Sequence, residues 1–556
     1  MSMQKIDDAR WRSSNVIGAI IMFGVTSTIS FFLLRDVLPS VLQDEYVYLS
    51  NSRLGMSSTS LPNDLFFALY SLNEFFGDSF YVFAKVLNQV FFFLTTLALY
   101  LWMLGKVRPF PALMSALTFQ VSAFAVFGSF FMPETMYSFT VILSLLLFFE
   151  AVIVGSRAKT LLIGLAGGSL GAAMLIKPHA LIILIALASY LVFMIRAFST
   201  RERAKSLAFL LLSFMATRVL FGFSLQGVQS LDFFRGYFSG SEFSSTLASQ
   251  FEEVVPKVSE VILALLANSL QHFALIVFLS FCALGVLFSH RRGSFKFTFF
   301  ILFIMFVTSL FIAAFEVYVT VFLADDHLAR VLLRHYEFLF PLLWAGLVIG
   351  FSKNDGEARD ASFASTLRVF ILCTVFLGIA LAGDSLWGAS RYSDSGFTTF
   401  LRNPALMWTY VLGNFGALYL LLRREKPSPA IAASIALTIS VVGGAASVGT
   451  VRIENLEPYP SDVAAQQIRE DYPDLRGSEI LLIAPNITLA QAGAFLINKA
   501  GIEILEAGVG SRILEKDMPK GYSLWVQFPG VTIVTDEVSI FKLDGAAIYD
   551  LSKPSN

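Results

Sequence analysis

Four groups of polar residues carry side chains suited to chemistry. The first is Asp44-Glu45-Tyr46-Val47-Tyr48. Adjacent carboxylates repel, and burying both demands a cation, a metal or a shared proton, which is how a general base or a metal ligand is prepared. The competing reading is a solvated acidic loop. The second, Met132-Pro133-Glu134-Thr135, puts an acid where a helix starts. Proline in a first turn and a carboxylate at the positive end of the dipole explain it equally well. The third is Ile176-Lys177-Pro178-His179. Lys177 there is either a snorkelling side chain or a compact cation placed to hold a phosphate. The fourth runs Asp325-Asp326-His327, then Arg330, Arg334, His335 and Tyr336. Arg330 and Arg334 are spaced i,i+4, so on a helix they share a face and grip one phosphate together. Asp325, Asp326 and His327 have metal-ligand chemistry, but they are contiguous, and a solvated charged loop is the stronger reading.

The elements that must position these groups are membrane helices. The chain has 556 residues, 56% hydrophobic and 15% charged, with a mean hydropathy of +0.69. That excludes a soluble globular enzyme, and with 40 basic against 41 acidic residues it also excludes disorder and a nucleic-acid partner. About thirteen segments are apolar enough to span a bilayer, the first at 16–34 and the last at 431–448. The others cover 80–104, 111–127, 135–154, 161–176, 181–198, 206–223, 270–288, 297–315, 338–351, 369–386 and 405–422. Lys and Arg collect in alternate loops starting from Lys5, Arg10 and Arg12, which puts the amino terminus in the cytoplasm on an uncleaved signal-anchor helix. The loops holding all four polar groups then face outward. The first of them, 35–79, includes an aromatic-rich stretch from Pro62 to Phe76 suited to helices lying in the interface. The expected fold class is therefore an α-helical polytopic membrane protein, its membrane domain at 1–448, with a small extracytoplasmic α/β domain at 449–556. In that tail, 479–484, 523–528, 531–535 and 538–543 read as strands and 487–499 as a helix. Cys282 and Cys373 lie in apolar runs and imply no disulfide framework.

The order of these groups resembles the GT-C superfamily of polytopic glycosyltransferases, nearest to its lipid A aminoarabinose transferase and protein O-mannosyltransferase branch. Asp44-Glu45 with Tyr48 is similar to that family's first-loop Asp-Glu-x-x-Tyr motif, and Glu134 stands where the family keeps its second acid. Ile176-Lys177-Pro178 is similar to the Thr-Lys-Gly-Pro turn, and Arg334-His335-Tyr336 with Pro341 to the Arg-Tyr and following proline. Leu61-Pro62-Asn63 stands where the family has His-Pro-Pro, and His335 interrupts Arg-Tyr.

The resemblance implies a sugar donor on a polyprenyl phosphate and a lipid, polysaccharide or protein acceptor; the short loops and lack of sorting signals fit a bacterial inner membrane, whereas in an endoplasmic reticulum protein the same face would lie in the lumen. The resemblance also implies that Asp44 is the base and that Glu45 or Glu134 orients it, binds acceptor or ligates a metal. Lys177, Arg330, Arg334 and Tyr336 would hold the donor phosphate, with Tyr48, His179 and His335 contacting substrate. A divalent cation (Mg, Mn or Zn) is optional, because a lipid phosphate is already a competent leaving group. If one binds, Asp44 and Glu134 are its expected ligands. The alternatives are a transporter or flippase, or a polymerase or ligase, of lipid-linked saccharides. A transporter predicts polar residues at bilayer mid-depth and paired interrupted helices, against charges crowded at one surface here.

Overall fold

The computed structural model describes residues 3–39, 42–54, 61–154, 158–195, 198–232, parts of 261–280, 296–323, 333–352, parts of 408–419, 428–535 and 539–552. Asp325, Asp326, His327, Arg330 and both cysteines lie outside the described residues, as do the expected span 369–386 and most of 270–288 and 405–422.

The membrane part consists of α1 (Met3–Leu34), α2 (Leu42–Ser52), α3 (Asp64–Tyr70), α4 (Phe80–Leu104), α5 (Pro109–Gln120), α6 (Glu134–Phe149), α7 (Lys159–Ile176), α8 (Ala180–Ser189), α9 (Thr200–Gln226), α10 (Lys296–Leu323), α11 (Phe340–Ser352) and α12 (Pro429–Glu454). Among the described residues, seven helices are long and apolar enough to cross a membrane. An eighth is added if α5 and the 3-10 helix Ala123–Ser129, bent by 54° from it, form one broken span. The sequence had this region as one unbroken helix. At the bend α12 presses in so closely that a Cβ on Gly444 would run into the Val121 carbonyl.

Helix starts follow local chemistry. Ser199 and Glu202 form a capping box for α9, and Ser428 with Pro429 opens α12. Glycines at 164, 168, 167 and 171 of α7 make two small-xxx-small pairs, and a Cβ on Gly167 or Gly171 would strike the backbone of α9 at Leu210 or Phe214. This close approach fixes the axis of α7, whose last residue precedes Lys177.

The carboxyl end of α1, the amino ends of α4, α6 and α11, and the carboxyl ends of α7 and α12 meet at one end of the bundle. Lys85, near the start of α4, donates to the carbonyls of Leu34 (3.0 Å), Arg35 (3.0 Å) and Val37 (2.5 Å), so its ammonium caps α1. Arg452, from the last turn of α12, donates to the Leu33 carbonyl at 3.0 Å.

Helix α12 continues past the expected end at 448 to Glu454, and the sheet domain follows it at the same end of the bundle. It holds α13 (Pro460–Asp471), α14 (Ile487–Ile497) and strands β1 (Ile480–Ala484), β2 (Glu503–Glu506), β3 (Arg512–Leu514), β4 (Leu524–Gln527), β5 (Thr532–Val534), β6 (Ser539–Leu543) and β7 (Ala546–Asp550). The main sheet has the order β2-β1-β4-β7-β6; β1 runs parallel to β2 and β4, while β7 is antiparallel to β4 and β6. Central strand β1 is buried throughout because both faces are covered. Ile480, Leu482 and Ala484 join the core under α13 and α14, and Leu481 and Ile483 join the cluster around Trp525 and Ile533. The expected strands and helix are present to within a few residues; β2, β3, β7 and α13 had not been anticipated.

Candidate active site

Helix α2 carries Asp44 and Glu45 in its first turn, where carboxylates favour the helix dipole. They have different surroundings. Glu45 is fully buried, and its Oε1 accepts from the Phe131 backbone N–H at 2.6 Å and from the Tyr81 hydroxyl at 2.9 Å. Asp44 is half-buried, and its Oδ2 accepts from Nη1 of Arg334 at 2.8 Å.

Glu134 opens α6 and is buried, with Oε1 2.6 Å from the Lys177 ammonium. Its Oε2 is buried with no protein partner. Lys177 is extended (φ −155°, ψ 125°) between α7 and α8, in a connection held by a 2.5 Å bond from the Asn63 amide to the Ile176 carbonyl. Burial pushes the Lys177 pKa down and Glu134 pulls it back up; Arg334 and Asp44 are also near enough to act on its charge.

His179 and His335 stack with ring centres 4.0 Å apart and planes 12° from parallel. The Nδ1 of each is buried without a partner. Burial drives both pKa values well below the ordinary imidazole value, and the charges of Lys177 and Arg334 reinforce the shift. Asp44, Glu134, Lys177, His179, Arg334 and His335 thus form one cluster drawn from four stretches of chain. It offers two carboxylates, two fixed cations and a neutral imidazole pair.

Two further expected contact residues are buried. Tyr48 packs its ring edge-on to Phe66 at 5.4 Å and is buried in an aromatic cluster with Phe67. Tyr336 is fully buried with its hydroxyl 2.6 Å from Nδ1 of His272. His272 Nε2 lies 3.0 Å from Oε2 of Glu316 on α10.

Several residues of the cluster's support had gone unremarked in the sequence. Tyr81, Lys85, Asn88 and Gln89 share one face of α4 at helical spacing. Asn88 donates to the Phe130 carbonyl at 2.7 Å and accepts from Thr135 at 2.8 Å, holding the segment that presents Glu134. A polar stripe inside an apolar span was the available signal. Phe495 of α14 is buried against Phe80 (5.5 Å), Tyr81 (5.3 Å) and Phe131 (6.2 Å), so the sheet domain packs directly on the groups that hold Glu45.

No protein-family model matches the chain, and no curated protein matches it. Among solved structures it is similar to ArnT from Cupriavidus metallidurans in the apo state, at 13% identity and a TM-score of 0.47, over 96% of this chain and 98% of that one. The same enzyme bound to undecaprenyl phosphate matches at 12% identity and a TM-score of 0.41, with the same coverage. The archaeal oligosaccharyltransferase AglB from Archaeoglobus fulgidus, in complex with an inhibitory peptide and a dolichol-phosphate, matches at 12% identity and a TM-score of 0.36, over 88% of this chain and 64% of that one.

Among the described residues no group of three or more His, Cys, Asp and Glu side chains is placed to hold a metal ion. A cleft of 1010 Å³ lined by Asn15, Lys106, Arg108, Ser352 and Ser428 lies at the opposite end of the bundle and includes none of the clustered residues. Its lining comes from helix ends, away from the convergent charges.

Proposed function

We propose that the chain is a membrane glycosyltransferase that moves a sugar from a polyprenyl-phosphate-linked donor to an acceptor hydroxyl or amine on the extracytoplasmic side. The observation that carries this reading is the pairing of each carboxylate with a cation in one cluster, Asp44 with Arg334 where both are partly exposed and Glu134 with Lys177 where both are buried. Glycosyl transfer from a lipid phosphate needs a base for the acceptor proton and cations for the departing phosphate. An arriving phosphate competes with the carboxylates for Lys177 and Arg334. Drawing Arg334 onto the phosphate releases the Asp44 carboxylate, which then takes the acceptor's proton. The acceptor atom bonds to the anomeric carbon, the bond from that carbon to the phosphate oxygen breaks, and the polyprenyl phosphate leaves with the electron pair.

Glu134 keeps Lys177 extended toward the phosphate, and its free Oε2 is available to an acceptor proton donor. The imidazole pair, held neutral by burial, offers unpartnered nitrogens for sugar hydroxyls. One base and direct attack give inversion at the anomeric carbon. The experiment is transfer from a panel of synthetic polyprenyl-phosphate sugars, with the product's anomeric configuration read by NMR. An inverted product supports the reading, and retained configuration removes Asp44 from the base role. Transport of an intact lipid-linked saccharide across liposomes, with no transfer, would replace an enzyme by a flippase.

A further inference from the structure

We infer that His272 and Glu316 are positioning residues, which act through the Tyr336 hydroxyl to fix the turn that delivers Arg334 to Asp44 and His335 to His179. All three side chains of the network are fully buried and come from three parts of the chain: the helical residues at 272–273, α10, and the break before α11. In the neutral tautomer that gives its Nε2 hydrogen to the Glu316 carboxylate at 3.0 Å, His272 accepts at Nδ1 from the Tyr336 O–H at 2.6 Å. The donor and acceptor order is thereby fixed from one end to the other, and with it the orientation of the Tyr336 ring.

The anchor meets the backbone where it changes course. Tyr336 sits between two short 3-10 helices, Leu333–His335 and Glu337–Leu339, with φ −143° and ψ 0°. Beyond the bonds of the two short helices themselves, the Leu339 N–H donates to the Tyr336 carbonyl at 3.0 Å. Glu316 lies in a helix whose other residues are mostly Phe, Ile, Leu and Val. Burying a carboxylate, an imidazole and a phenol costs more than filling the same space with apolar side chains, so simple packing does not account for them. What the network adds is direction.

The test uses the full chain in detergent. Cys282 and Cys373 are replaced by Ala, Asp44→Cys and Arg334→Cys are introduced, and the yield of cross-linking by a short thiol-reactive linker is measured. Tyr336→Phe, His272→Phe and Glu316→Leu should each lower the yield several-fold, and Glu316→Gln, which keeps an acceptor for His272, should restore it. Tyr336→Phe removes one oxygen only, and its thermal midpoint is recorded to show that it folds. Unchanged yield in folded Tyr336→Phe, or equal loss in Glu316→Gln and Glu316→Leu, overturns the inference. A second arm depends on the transferase reading above: in the otherwise native chain, the first three substitutions should lower kcat about tenfold to a hundredfold, with Glu316→Gln near native. Absence of transfer by the native chain would count against that reading alone, because cross-linking needs no substrate.

Discussion

Arg334 and Asp44 lie 290 residues apart in sequence and meet across 2.8 Å, joining the turn before α11 to the first turn of α2. Both remain partly open to solvent, with side chains 15% and 37% exposed. Partly exposed pairs of this kind contribute at most about 1 kcal/mol. Arg334→Ala should therefore shift thermal unfolding little while lowering sugar transfer by about a hundredfold, the cost of losing one preorganised group that stabilises developing charge. A loss of stability that accounts for the whole loss of transfer would make Arg334 a structural residue.

The Lys177–Glu134 pair behaves differently because both side chains are buried. Lys177→Met leaves a carboxylate without its cation and should destabilise the chain by about 3–5 kcal/mol, whereas the double variant Lys177→Met with Glu134→Gln should regain most of that. Thermal unfolding of the two variants and their combination forms a double-mutant cycle. Additive effects would show that the pair is not coupled.

The stacked histidines give the chain a pH dependence of known sign. Burial holds the folded-state pKa of His179 and His335 well below the ordinary value, and the unfolded value is about 6.5. Above that pH neither state binds the protons. As pH falls below it, the unfolded chain takes up protons that the native chain refuses, so stability drops. His335→Phe should flatten the fall of the thermal midpoint between about pH 6.5 and 5. A parallel fall in native and variant chains would place the effect elsewhere.

Phe495 ties the sheet domain to the site through Tyr81 and Phe131, both of which hold Glu45. Phe495→Ala should cost about 3–5 kcal/mol, the usual effect of emptying a buried aromatic position. It should also reduce transfer beyond what the stability change explains. Proteolysis of the sheet domain, compared with transfer rates, separates the two effects. A variant that loses stability but keeps full activity would leave the domain a cap only.

Much of this arrangement was legible because membrane physics makes polar residues conspicuous. Asp44, Glu134, Lys177 and Arg334 stood out as charges at the ends of apolar runs, and they converge because alternate helix ends meet on one side of the bundle. Asn88, Lys85 and His272 were missed for the converse reason: they sit inside apolar runs, where a span is judged by its average and a single polar side chain barely changes it; Glu316 was taken as the start of a loop, whereas its helix runs on to Leu323. The neighbours of Tyr48 and Tyr336 were not legible because a tyrosine's contacts depend on which neighbour its hydroxyl meets, and His272 lies 64 residues from Tyr336 in sequence. In the sheet domain, β1 and β4 show as apolar runs, whereas β2 and β3 are half exposed and carry Glu and Arg, so no alternation marks them.

The most direct test of the central claim is transfer of radiolabelled sugar from polyprenyl-phosphate donors to a membrane extract by the purified chain, with Asp44→Asn beside it. The amide keeps the size of the side chain and can still accept from Arg334, but it cannot take a proton. Transfer by the native chain, lost in a folded Asp44→Asn variant that still binds polyprenyl phosphate, is the predicted result. Undiminished transfer by Asp44→Asn would contradict the assignment of the base and the mechanism built on it.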